Sequence, residues 1–331
     1  MTQILESEVT IRGTDAYPPR NLEVLDDLVK KFGLSSIEEL HYFPKQISIE
    51  PTSSCNARCF MCPVEEWERT HVLMPDPIFE KVLADIQPFV HWIERISLPI
   101  IGEPLIDKRL ESKIRRLKQI GAKVVDLTSN ASLMSERRAI SLIEAGLDAI
   151  DYSMDGARRD TFEAIRKRLK FDECVENIEK FIAVRDRLNP NLRIRVRMTV
   201  SELNVNELVE FKDFWSKRLG KQDQVYGKLL HNWGNWDASP ILETPLDNAT
   251  LDTMPCISPW IVFNIFTDGR VPLCCVDFNA EERLGNVMES SIADIWRSPT
   301  NRMLREGHGQ LGRNSHKKCI GCYAWEQTLK V

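Results

Sequence analysis

The segment Arg193-Ile-Arg-Val-Arg-Met198 alternates charge and hydrocarbon, with three arginines on one face and Ile194, Val196 and Met198 on the other. A strand of period two buries one face and sets the other against water or a polar space. The pattern recurs. In Gln46-Ile-Ser-Ile-Glu50, Ile47 and Ile49 oppose Gln46, Ser48 and Glu50, and in Asp151-Tyr-Ser-Met-Asp155 the residues Asp151, Ser153 and Asp155 share a face. Strands are predicted at Gln46–Glu50, Arg95–Ile100, Lys123–Thr128, Ala149–Met154, Leu192–Val200 and Val225–His231. Helical patterns such as Pro77–Ile86, Ser135–Ala145, Phe171–Arg187 and Asn206–Lys217 separate them. Six strand–helix repeats predict an α/β protein with a parallel sheet. Strands buried on both faces read as nearly continuous apolar runs; these do not. With their apolar faces on the helices, their polar faces line the lumen of an incomplete, TIM-like (β/α)6 barrel. A sheet with one solvated face is the alternative.

Residues 1–45 read as an N-terminal extension packing on the body, with a break at Tyr17-Pro18-Pro19 and an amphipathic stretch over Leu22–Phe32. Residues 46–236 form the barrel, and 237–331 a Pro- and Asn-rich linker followed by a second domain. The net charge of −5 offers no basic field for nucleic acid. The opening MTQILESEVT lacks the basic-then-apolar pattern of a signal, and no apolar run approaches the roughly 20 residues of a membrane span. A cytoplasmic protein is expected, in which nine cysteines point to metal or redox chemistry instead of disulfides.

Three of them, Cys55-Asn-Ala-Arg-Cys59-Phe-Met-Cys62, directly follow the first strand, at the rim where barrel loops carry chemistry. A closed electron-transfer cluster takes four cysteines, so three imply a [4Fe–4S] cluster with one iron open to another ligand. Structural zinc also wants four ligands, and no cysteine or histidine follows Cys62 until His71.

This spacing resembles the signature of the radical S-adenosylmethionine (SAM) enzymes. The resemblance runs from Gln46 to about His231 and implies SAM on the open iron, cleaved to a 5′-deoxyadenosyl radical. Ile101-Gly-Glu-Pro104 is similar to the family's Gly-Gly-Glu-Pro segment, which implies Glu103 near the SAM amino group. Thr128-Ser-Asn130 loosely matches the ribose-contacting position, which implies Asn130 there, and Tyr152-Ser-Met-Asp-Gly156 resembles the Ser-x-Asp-Gly strand end, which implies a SAM contact by Ser153. Arg166 or Arg197 is the expected partner of the SAM carboxylate, since arginine pairs bidentately with carboxylates. A flavodoxin, ferredoxin or their reductase is the implied electron donor.

A second set comprises Cys256, Cys274 and Cys319-Ile-Gly-Cys322. Val262–Phe266, Thr267-Asp-Gly269 and Arg270–Leu273 read as a β-hairpin that brings Cys256 to Cys274, and a helix over Ser291–Arg297 leads back toward Cys319. A zinc ribbon fits the spacing as well. The set resembles the twitch extension, a shortened SPASM domain, which implies one auxiliary [4Fe–4S] cluster on these four cysteines. Within the family the likeness is to enzymes that dehydrogenate aminocyclitols or epimerise aminoglycosides.

Cys174 reads as a buried structural thiol. Cys275 should point away from Cys274, and the resemblance to the epimerases implies a hydrogen-atom donor; packing beside the cluster is the alternative. His231, in His231-Asn-Trp-Gly-Asn-Trp236, is a candidate general base or a structural histidine under capping tryptophans.

The expected activity is hydrogen abstraction from a hydroxyl- or amine-bearing carbon of a sugar-like or aminocyclitol substrate. Epimerisation through Cys275 is favoured over dehydrogenation with the auxiliary cluster as electron acceptor. Peptide modification, as in many SPASM proteins, and a non-enzymatic iron–sulfur or zinc scaffold are the other classes. The first usually brings a leader-binding domain for which 45 residues look too few, and the second needs no vacant iron.

Overall fold

A computed structural model describes residues 14–70, 72–233 and 247–325. Its strands are β1 (Gln46–Ile49), β2 (Arg58–Cys59), β3 (Arg95–Ser97), β4 (Val125–Ser129), β5 (Ala149–Ser153), β6 (Arg166–Lys167), β7 (Arg193–Val200), β8 (Gln224–Leu229), β9 (Val262–Ile265), β10 (Arg270–Pro272) and β11 (Arg283–Asn286). Seven of these form one sheet in the order β8-β7-β5-β4-β3-β1-β9, and every neighbouring pair is parallel. Helices Asp76–Ile86, Leu110–Gln119, Glu136–Glu144, Phe171–Leu188 and Leu208–Ser216 intervene along the chain.

The alternation predicted for β7 is present: Ile194, Val196, Met198 and Val200 are buried in the main apolar core with Phe181, Phe211 and Trp215 of the covering helices. The polar face is uneven. Arg195 and Arg197 are partly buried, whereas Arg193, at the strand's first residue, is exposed. One cavity is lined by Ser48 of β1, Asn264 of β9, Arg197 of β7 and Lys228 of β8. Strands from both ends of the sheet meet around it, so the sheet is curled into an open barrel with a polar lumen.

The predicted hairpin forms only around its turn, where Phe266 N–H donates to Arg270 O at 2.9 Å. The Asp268-Gly269 turn exists, with Gly269 at φ 83° and its N–H donating to Phe266 O at 2.9 Å. β9, however, runs beside β1 in the main sheet, and β10 pairs with β11. Val262, Phe263 and Ile265 bury their side chains there, and their backbone covers an edge of β1 that would otherwise be unpaired. Through this strand the C-terminal domain shares the barrel's sheet.

The described part of the N-terminal segment, from residue 14 on, packs against residues 257–262 of the C-terminal region. Leu25 and Leu28 of helix Pro19–Phe32, Tyr17 just before that helix, and Ile37 and Leu40 of the turn after it are buried against Ile257, Trp260, Ile261 and Val262. The Trp296 indole donates to Leu40 O at 2.9 Å. Residues 234–246, which include the tryptophan at 236 and the start of the predicted linker, and His71 lie outside the described residues.

Candidate active site and auxiliary centre

The first cysteine loop is fixed from three sides. Arg58 Nη1 donates to the carbonyls of Cys55 (2.9 Å) and Ala57 (2.7 Å). β2 pairs antiparallel with β6, setting Cys59 opposite Arg166, and Trp233 Nε1 donates to Met61 O at 2.8 Å. The Gly102 segment presses so closely that a Cβ at Gly102 would overlap the Thr52 carbonyl oxygen and stand 2.9 Å from that of Ser54. Only glycine allows that approach. Glu103 N–H then donates to Ser54 O at 2.9 Å.

The lumen cavity, about 390 Å3, is lined by Cys55, Cys59 and Cys62 together with Glu103, Asn130, Ser153, Arg166, Arg197, His231 and Cys275. All the residues predicted for SAM therefore face one space, but their occupations differ. Glu103 accepts from Leu105 N–H (3.1 Å), Ser129 Oγ (2.9 Å) and Asn130 N–H (2.8 Å), so it braces two rim loops and retains little capacity for a ligand amine. Asn130 bonds Asn56 of the cysteine loop at 3.0 Å. Arg166 donates to Asp155 Oδ2 from Nε (2.7 Å) and Nη2 (2.6 Å), and its Nη1 lies 3.5 Å from Cys59 Sγ. Arg197 donates from Nη2 to Ser153 Oγ at 3.0 Å, and its buried Nε has no partner. Of the two arginines, Arg197 has the free hydrogen-bonding capacity an anion needs.

His231 lines the cavity as predicted, but not with the basicity predicted for it. Burial, then Lys228 and Arg197, push its imidazole down to about 3, and its Nδ1 accepts from Trp233 N–H at 3.2 Å. A buried histidine between two cations stays neutral.

Cys256, Cys274, Cys319 and Cys322 line a second cavity of about 450 Å3 with His308 and Arg313. Cys256 N–H donates to His308 Nδ1 at 3.2 Å, and Arg313 Nη1 holds Met254 O at 2.9 Å. Cys274 lines this cavity and Cys275 the other, although both lie in the bend and turn after β10 and not within a strand. Burial raises the Cys275 thiol's pKa and Lys228 opposes the rise. Trp233 and Trp325 line both cavities and form a wall between them. Cys174 is buried, its Sγ 3.5 Å from Asn130 O.

Among the described residues no three His, Cys, Asp or Glu side chains are drawn together tightly enough for one metal ion. Each cysteine set surrounds a volume, as a four-iron cluster ligated at separate corners requires. The donor set fits such a group. Lys228, Asn264, His308 and Trp325 were missed in the sequence. Lys228 and Asn264 carry a signal, polar positions in apolar-flanked strands, whereas Trp325 carries none.

Comparison with known proteins bears on this geometry directly. Residues 49–213 match the radical SAM superfamily, and residues 256–323 match SPASM, an iron–sulfur cluster-binding domain. The chain is a radical SAM enzyme. Its cofactors are accordingly a [4Fe–4S] cluster with SAM and auxiliary iron–sulfur in the SPASM domain. It is 25% identical over 291 residues to a tungsten-containing aldehyde ferredoxin oxidoreductase cofactor-modifying protein of Pyrococcus furiosus, covering 77% of this chain and 81% of that one. It is 23% identical over 281 residues to the SAM-dependent 2-deoxy-scyllo-inosamine dehydrogenase of Niallia circulans, covering 83% and 91%. The crystal structure of BtrN in complex with AdoMet and 2-DOIA superposes with a TM-score of 0.57 at 19% identity, covering 85% of this chain and 93% of that one. No described helix is long and apolar enough to cross a membrane.

Proposed function

We propose that this radical SAM enzyme epimerises a hydroxyl- or amine-bearing carbon of a sugar-like or aminocyclitol small molecule, with Cys275 as the hydrogen-atom donor. The observation behind this reading is that Cys275 lines the lumen cavity while its neighbour Cys274 lines the auxiliary one. Cys55, Cys59 and Cys62 would hold the first cluster, with Asn130, Ser153 and Arg197 around SAM. Cys256, Cys274, Cys319 and Cys322 would hold a single auxiliary cluster, the twitch arrangement. When bound, the first cluster and SAM supply a radical that removes one hydrogen atom from the substrate carbon. Cys275 then gives its S–H hydrogen to that carbon: the S–H bond breaks, a C–H bond forms on the opposite face, and a sulfur radical remains. One electron and one proton from an external low-potential donor, a reduced flavodoxin or ferredoxin, restore the thiol. Arg166, occupied by Asp155, would hold the loop's charge balance beside Cys59.

Dehydrogenation is the second reading, favoured by the relationship to 2-deoxy-scyllo-inosamine dehydrogenase. It requires a base for the hydroxyl proton, and a neutral His231 with little affinity for protons is poorly suited to that task. Turnover in deuterated water separates the readings, because a thiol proton exchanges with solvent. Epimerisation puts deuterium at the inverted carbon, and Cys275→Ala keeps SAM cleavage but loses that product. A wild-type product that is a ketone without solvent deuterium at that carbon leaves the dehydrogenase.

A further inference from the structure

Strand β9 follows the barrel by some thirty residues in sequence, yet completes the main sheet beside β1. Phe263 and Ile265 enter the apolar core, so Asn264 between them faces the lumen cavity, which it lines. The register sets Asn264 beside Ser48 and Ser48 beside Ser97, and all three line the same cavity. They form a polar row across the barrel, below the point where β1 gives way to the cysteine loop. Ser97 is already engaged, donating to Asp126 Oδ1 at 2.6 Å. Asn264 is not: it is 2% exposed and its Oδ1 has no hydrogen-bond partner. Buried carboxamide oxygens are nearly always bonded, and this one opens onto a ligand-sized space.

We propose that Asn264 is a substrate-binding residue whose Oδ1 accepts a hydrogen bond from a substrate hydroxyl at the barrel floor. A hydroxyl suits the site better than an ammonium group. Arg95, Arg166, Arg197 and Lys228 line the cavity as cations, whereas the Glu103 carboxylate is already engaged by three donors. The C-terminal domain thus grips the substrate through the shared sheet. The choice of a polyhydroxylated probe rests on the reading under Proposed function.

The test uses the full reconstituted enzyme with Asn264→Leu and Asn264→Val. In thermal unfolding without substrate, both variants should match or exceed the wild-type Tm, since the oxygen they remove bonds nothing in the protein. A fall of more than about 5 °C in both would assign Asn264 to the fold and overturn the proposal. With SAM present, the half-saturating concentration of 2-deoxy-scyllo-inosamine for stimulated 5′-deoxyadenosine formation should rise roughly tenfold or more in both. Equal half-saturation in wild type and variants also overturns it. If the wild type ignores this compound, the aminocyclitol reading fails instead, while a Tm that falls in both variants still overturns the Asn264 proposal by itself.

Discussion

Replacing Arg69 tests how the two domains are held in register. Arg69 follows the cysteine loop and forms a doubly bonded ion pair with Glu50 at the end of β1, Nη1–Oε2 2.6 Å and Nη2–Oε1 3.0 Å, with side chains 3% and 0% exposed. The same guanidinium donates from Nε to Phe278 O at 2.7 Å and lies 3.8 Å from the Phe266 ring centroid. Glu50 also accepts from Thr267 N–H at 3.2 Å. Barrel strand, cysteine loop and SPASM domain thus meet at one buried charge pair. Removing one partner of such a pair costs ~3–5 kcal/mol, because the other is left buried and unpaired. At roughly 2.1 cal/mol/K per residue, 331 residues give about 0.7 kcal/mol/K, so Arg69→Met should lower Tm by about 4–7 °C.

The pH dependence follows from the same geometry. Burial raises the pKa of Glu50, and the Arg69 bonds oppose that rise. In Arg69→Met the opposition is gone, so the native carboxyl binds its proton more tightly than the unfolded one, whose pKa is about 4.3. Stability then falls as pH rises above that value, and the deficit against wild type should be smaller at about pH 5.5 than at about pH 8. The double change Glu50→Leu with Arg69→Met removes both charges and should recover much of the loss. Scanning calorimetry of the three proteins measures each quantity. A double variant as unstable as Arg69→Met, or a deficit that grows toward acid, would refute the argument.

Three further outcomes are expected. Alanine at Cys55, Cys59 and Cys62 together should reduce iron from about eight to about four per chain and abolish SAM cleavage, read by iron assay and 5′-deoxyadenosine formation. Arg197→Ala should weaken SAM or substrate binding roughly tenfold to a hundredfold, the range for a lost hydrogen bond to a charge, whereas Arg193→Ala, on an exposed position, should bind normally in calorimetric titration. Gly102→Ala should lower SAM affinity and Tm together, because the added Cβ has only the Thr52 and Ser54 carbonyls to displace.

Where the sequence foretold the molecule, it did so through short-range periodicity. Ile194, Val196 and Met198 had to share a face whatever surrounded them, and the cysteine spacing limited the first loop's chemistry before any contact was known. Properties that depend on remote partners were not legible. Arg166 and Arg197 look equivalent in sequence, yet Asp155, eleven positions before Arg166, occupies one and leaves the other with an unbonded Nε. Glu103 was readable as a carboxylate at the right place but not as a brace between loops, since Ser129 and Asn130 reach it only in the folded barrel. His231 carried the right side chain for a base, and burial between Lys228 and Arg197 took that basicity away.

The largest miss concerns β9. Its local pattern, Val-Phe-Asn-Ile before Asp-Gly, fits a hairpin as well as a sheet edge, and nothing within the segment distinguishes the two. The choice is made by β1, some 215 residues earlier, whose open edge is satisfied by β9 in parallel register. A hairpin partner for β10 is then supplied by β11 instead. The consequence is functional. β9 is anchored in the barrel's sheet, and β10, joined to it by the Asp268-Gly269 turn, leads directly to Cys274 and Cys275. The wall of Trp233 and Trp325 keeps the cavities apart while the chain between β9 and Cys275 crosses from one to the other. The link from the barrel to these thiols is therefore short: one turn and then β10, which pairs with β11 in a separate two-stranded sheet and ends just before Cys274.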